Sequence, residues 1–106
     1  MDPVTTKEVL LAAADYMDAH GKATGHYSDK DGRVCAIGAI TAVLHGDPNP
    51  CGLMVDEPTY KAYRSAIALV MKSGTHIERQ GRLIAWSDRV NKDSVVRRFR
   101  KAAATP

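Results

Sequence analysis

Residues 34–44 read Val-Cys-Ala-Ile-Gly-Ala-Ile-Thr-Ala-Val-Leu, and the fold turns on how this stretch is taken. It carries no charge and almost nothing polar. On a helix, apolar residues in every direction mean burial on more than one side. Gly38 sits in the middle, where glycine costs about 1 kcal/mol relative to alanine, so its presence predicts close backbone approach by a neighbouring helix. Gly46 ends the stretch. A buried central helix needs amphipathic partners around it, and both flanks of the chain supply them.

Upstream, Thr5-Thr6-Lys7-Glu8 has the spacing of a reciprocal capping box, and Leu10, Ala13, Ala14 and Met17 recur on one helical face up to Gly21. This predicts a helix over about 5–20. Residues 21–33, GKATGHYSDKDGR, hold three glycines and a Lys-Asp-Gly turn signal and predict an irregular loop or hairpin anchored by Tyr27. Downstream, the proline-rich run at about 47–57 predicts a long loop around Leu53, Met54 and Val55. Pro58 suits a first helical turn, and Tyr60, Tyr63, Ile67 and Val70 follow at helical spacing, closed by Lys72 and Gly74. Thr75-His76-Ile77-Glu78 repeats the capping-box pattern and opens a helix carrying Ile77, Leu83, Ile84 and Trp86. The short connection favours an antiparallel helical hairpin. Residues 87–92 predict a break, after which Asp93 caps a last helix over about 93–104. No alternating strand pattern occurs. The expected fold is all-α: one compact domain, 1–106, of four or five helices with little or no sheet.

A chain of 106 residues with 44% apolar and 25% charged residues has the composition of an ordinary globular domain, which excludes collagen-like, disulfide-dense and wholly disordered classes. Its net charge of +3 is a cancellation: residues 1–60 carry 4 bases and 9 acids, residues 61–106 carry 11 bases and 3 acids. Two cysteines are too few to hold a secreted domain of this size, and no charged start leads into an apolar leader, so the expected location is cytoplasmic. Residues 36–44, within the apolar stretch at 34–44, fall far short of the ~20 residues a membrane span needs.

The last helix carries the strongest surface signal. At 100° per residue, Arg97, Arg98, Arg100 and Lys101 share an arc of roughly 160°, while Val95, Val96, Phe99, Ala102 and Ala103 gather opposite. Such a face suits an acidic protein surface, with nucleic acid as a second reading and internal pairing with the acidic N-terminal half as the bland one. Against nucleic acid stand the lack of stacking aromatics on the basic face, Phe99 falling on the apolar side, and the small net charge. Trp86 and Asp88 read as a structural anchor, the carboxylate capping a turn or accepting the indole N–H; the minority reading is an interface hot spot flanked by Arg82 and Arg89.

Cys35 stands where a helix start lowers a thiol pKa, with His76 and Asp88 downstream in an order that cysteine hydrolases use. A cysteine in an Ala-Ile-Gly context is more often a buried hydrophobe, and the expected reading is non-enzymatic. His20, His26, His45, Cys35 and Cys51 lack the paired spacing of a metal site. No phosphate-binding glycine pattern is present, so no cofactor and no metal are expected.

Gly32-Arg33-Val34-Cys35-Ala36-Ile37-Gly38-Ala39, followed by Ile84-Ala85-Trp86-Ser87-Asp88, resembles a small uncharacterised domain of actinobacteria and their bacteriophages that shows a G-x-x-C-x-x-G-A block and then a W-N-D block. Ser87 stands where that pattern has Asn. The resemblance implies no activity, cofactor or catalytic residue. It implies a phage or prophage origin, and small phage proteins of this kind often act by binding a host protein; the charge polarity then makes the basic last helix the expected contact, in the host bacterial cytoplasm.

Overall fold

The computed structural model describes residues 6–50 and 57–104. Five helices follow in order: α1 Thr6–His20, α2 Ala36–His45, α3 Glu57–Val70, α4 His76–Arg89 and α5 Lys92–Ala104. Residues 36–42 are buried without interruption, so the apolar stretch is the central helix that its composition predicts. Around it lie Val9, Leu10, Ala13 and Met17 of α1, Tyr63 and Ile67 of α3, Leu83 of α4, and Val95 and Phe99 of α5, joined in one core. A Cα radius of gyration of 12.2 Å is close to the roughly 13 Å expected for a domain of this length. Among the described residues no strand forms; Val34 makes only isolated bridges to Lys22 and Ser28. No described helix is long and apolar enough to cross a membrane.

Both ends of α2 are closed by the side-chain and backbone chemistry of its flanks. At its start the Cys35 sulfur accepts the N–H of Gly38 at 3.4 Å. At its end Gly46, at φ +83°, donates its N–H to the Ala42 carbonyl at 2.8 Å, a left-handed stop that glycine adopts without a Cβ penalty.

Gly38 does meet a close neighbour, but that neighbour is not a helix. A Cβ there would lie 2.0 Å from the carbonyl oxygen of Tyr27 in the 21–35 loop. The same Tyr27 carbonyl accepts the Cys35 N–H at 3.2 Å. The loop therefore lies directly on the first turn of α2, and only a residue without a side chain leaves room for its backbone.

Three local expectations are corrected. Helix α4 runs through Ser87 to Arg89, so the break is confined to Val90 and Asn91. The cap of α5 is Asn91, whose amide oxygen accepts the Ser94 N–H at 2.9 Å, and Asp93 lies inside the first turn. Ile77, counted on the apolar face of α4, is 80% exposed because it occupies the first turn, beyond the reach of the core. The capping box of α4 forms as its spacing predicts, Thr75 accepting from Glu78 and Glu78 from Thr75. The expected loop at 47–57 lies largely outside the described residues, as does Thr5 of the first capping box.

Candidate functional site

The apolar side of α5, with Val95, Val96, Phe99, Ala102 and Ala103 buried, packs against α1 and α3 and leaves its cationic side outward. Arg97, Arg98, Arg100 and Lys101 are all exposed, yet they differ in what they touch. Arg100 turns to α1, with its guanidinium 3.2 Å from Asp15 and 3.9 Å from Asp18. Lys92 joins the same acidic face, 3.3 Å from Asp18. Internal pairing of the basic and acidic halves is thus present among the described residues, and on α5 it includes Arg100 and Lys92.

Arg98 turns the other way. Its guanidinium lies 5.3 Å from the centroid of the Trp86 ring and donates to the Val70 carbonyl at 3.3 Å. Two further arginines bind the turn that follows α3: Arg79 donates to the Lys72 carbonyl at 3.2 Å, and Arg82 to the Ser73 carbonyl. Carbonyls at a helix C-terminus have no intrahelical donors, so guanidinium groups are well matched to them.

Two clefts flank this arrangement. One, about 340 Å³, is lined by Trp86, Val90, Ser94, Arg97, Arg98 and Lys101. The other, about 390 Å³, is lined by Leu69, Val70, Lys72, Arg98, Lys101 and Ala102. Arg98 and Lys101 border both. Lys72 belongs to this surface and was read in the sequence only as a helix-ending cation; the signal that finds it is its position at the end of α3 next to α5, which no local pattern encodes.

Trp86 and Asp88 lie on opposite sides of the last turn of α4 and serve different neighbours. Trp86 is half-buried under Arg98, whereas Asp88 accepts the Gly25 N–H at 3.0 Å. Between them Ser87 is fully buried: its hydroxyl accepts the Ala36 N–H at 3.1 Å, and its carbonyl accepts from Lys22 at 2.6 Å. The two sequence blocks around Cys35 and Trp86 therefore meet. Together they clasp the 21–35 loop between the start of α2 and the end of α4.

Cys35, Asp88, His26, Tyr27, Gly25 and Ile84 line a cleft of about 310 Å³ beside that clasp. Cys35 is only 2% exposed, and burial pushes its thiol above the ordinary value against the opposing N–H groups of Gly38 and Ile37. His76 does not line this cleft; its ring packs edge-on against Tyr60 and Tyr63, with centroids 5.9 and 5.8 Å away. Burial, and then Arg64 and Arg79, push the His76 imidazole below its ordinary value. The other candidate metal ligands are dispersed: His20 stacks on Tyr16 and His45 contacts the Asn49 carbonyl. Cys51 lies outside the described residues, among which no group of three or more His, Cys, Asp or Glu is placed to hold a metal ion.

Comparison with known proteins shows that the model of a family of unknown function, DUF6197, matches residues 1–105 of the chain. No curated protein and no solved structure matches it.

Proposed function

We propose, for a chain that belongs to the DUF6197 family, the role of a non-enzymatic binding protein whose working surface is the basic face of α5, directed at an acidic surface of another protein. The observation that carries this reading is the pairing of Arg98 with Trp86 beside Arg97 and Lys101, all on the rim of one cleft. Trp and Arg are the residues most often found at the energetic centre of protein interfaces, and here both are present with apolar and cationic neighbours. The non-enzymatic part of the proposal is supported by Cys35, whose buried, helix-capping thiol is poorly suited to nucleophilic attack.

In its finer form the proposal takes the chain to be a phage-type or prophage-type protein acting in the host cytoplasm on a host protein, as the sequence resemblance suggests. Capture from bacterial lysate, wild type against a variant with Arg97, Arg98 and Lys101 changed to Glu, is the test. Loss of most captured partner, roughly tenfold or more, is expected from reversing three rim cations. Undiminished capture of the same partners would remove α5 as the interface.

A second reading, nonspecific nucleic-acid binding, draws on the same cations. It requires affinity to fall steeply with salt through counterion release. A flat salt response, or no shift of a nucleic-acid probe at low salt, eliminates it.

A further inference from the structure

We infer that the ligand of the α5 face is an acidic protein segment carrying apolar side chains on both sides of its carboxylates; this rests on the reading of α5 as the binding face. Arg98 and Lys101 stand one helical turn apart and form the wall shared by the two clefts. On one side the lining is apolar at Trp86 and Val90, on the other at Leu69, Val70 and Ala102. A cationic ridge between two apolar-lined recesses is matched by a carboxylate cluster between two apolar anchors. A ligand with carboxylates alone would engage the ridge and leave both recesses filled with water.

Nucleic acid fits this relief less well. Sequence-tolerant binding of single strands uses exposed aromatic faces for base stacking, but the Arg98 guanidinium already lies over the Trp86 ring. The second recess has only aliphatic side chains in its apolar lining. Arg98 is also held in place before any ligand arrives, by Trp86 and by the Val70 carbonyl, while the rest of its donor fork is available to a carboxylate. A pre-positioned guanidinium loses less rotamer freedom on docking, which favours a directed carboxylate contact over a diffuse one.

The test is selection from a random twelve-residue peptide display library on the full chain, with counter-selection on the double variant Arg98→Glu, Lys101→Glu. If that variant does not hold its fold by circular dichroism, Arg98→Gln with Lys101→Gln replaces it. Recovered clones are expected to be rich in Asp or Glu and to carry aliphatic or aromatic residues on both sides of them. Replacing those apolar residues by Ser should weaken binding roughly tenfold or more, the loss typical of truncated anchors. Acidic clones whose affinity survives Ser replacement within about twofold would overturn the inference and leave the binding face standing. Absence of any clone that depends on Arg98 and Lys101 would overturn both. Oligothymidine binding more tightly than the best clone would reassign the face to nucleic acid.

Discussion

At the residue scale, one substitution type separates two glycines. A Cβ on Gly38 collides with the Tyr27 carbonyl, and because the obstacle is backbone it cannot swing aside. Gly38→Ala is expected to cost about 3 kcal/mol, near the upper end of the range for overpacking, and to lower the thermal midpoint by roughly 10–20 °C. Gly81, in the exposed middle of α4, has nothing within 4 Å of the same position. Gly81→Ala is expected to stabilise by roughly 0.5–1 kcal/mol through helix propensity and a less flexible unfolded chain. Melting curves of the two variants moving in the same direction would contradict this account. The sequence made the oddity of Gly38 legible but not its cause. An interior glycine announces a close approach, whereas the approaching group is a carbonyl in a loop whose path is set by long-range contacts.

At the scale of single elements, the α4 capping box was legible from neighbours in sequence, the α5 cap was placed two residues late, and contacts from distant residues were not legible. Thr75 and Glu78 are three residues apart, and the α4 box forms as read. The Thr75 backbone N–H above all, and then its hydroxyl, hold the Glu78 carboxyl below the ordinary value of 4.5. A carboxyl with a lowered folded pKa contributes stability that is present above its unfolded pKa and lost as pH falls through its folded one. Glu78→Gln should therefore melt below wild type at neutral pH, and the gap should close as the buffer is taken from about pH 5 to about pH 3. A gap that stays constant over that range would show that charge plays no part in the cap. The buried donor at the start of α2, by contrast, depends on a hydroxyl 51 residues away. Ser87→Ala strands the Ala36 N–H and should cost about 1–3 kcal/mol in chemical denaturation, with the m-value unchanged.

At the scale of the whole molecule, the separation of charge along the chain becomes a division of labour on one helix. The sequence located the basic face of α5 correctly but could not say which cations point home, because Asp15 and Asp18 reach α5 only through the packing of α1. Arg100 spends part of its charge on those aspartates, and Arg97 borders the Trp86 cleft. Arg100→Ala should cost less than about 1 kcal/mol, with the loss vanishing as salt is raised, as for other exposed ion pairs. Arg97→Ala should change stability by no more than about 0.5 kcal/mol. On the proposed function, partner capture reverses the order and suffers more from Arg97 than from Arg100. Equal effects of the two on capture would mean that the acidic partner competes with α1 for the entire face. The clefts were not legible, since their walls come from α3, α4 and α5 together.

The clasp that joins Ser87 and Asp88 to the loop and to α2 also bears on the order of events in time. Its hydrogen bonds link residues 51, 63 and 65 positions apart, whereas each helix needs only its own near neighbours. Closing loops of that length costs entropy before any contact repays it, so the clasp belongs on the native side of the folding barrier. Loosening it with Ser87→Ala should then accelerate unfolding and leave the refolding rate nearly unchanged. Trp86, the one tryptophan of the chain, sits beside the clasp and can report both rates by stopped-flow fluorescence. The clasp acts as a latch on the finished structure, setting how long the protein stays folded rather than how fast it gets there.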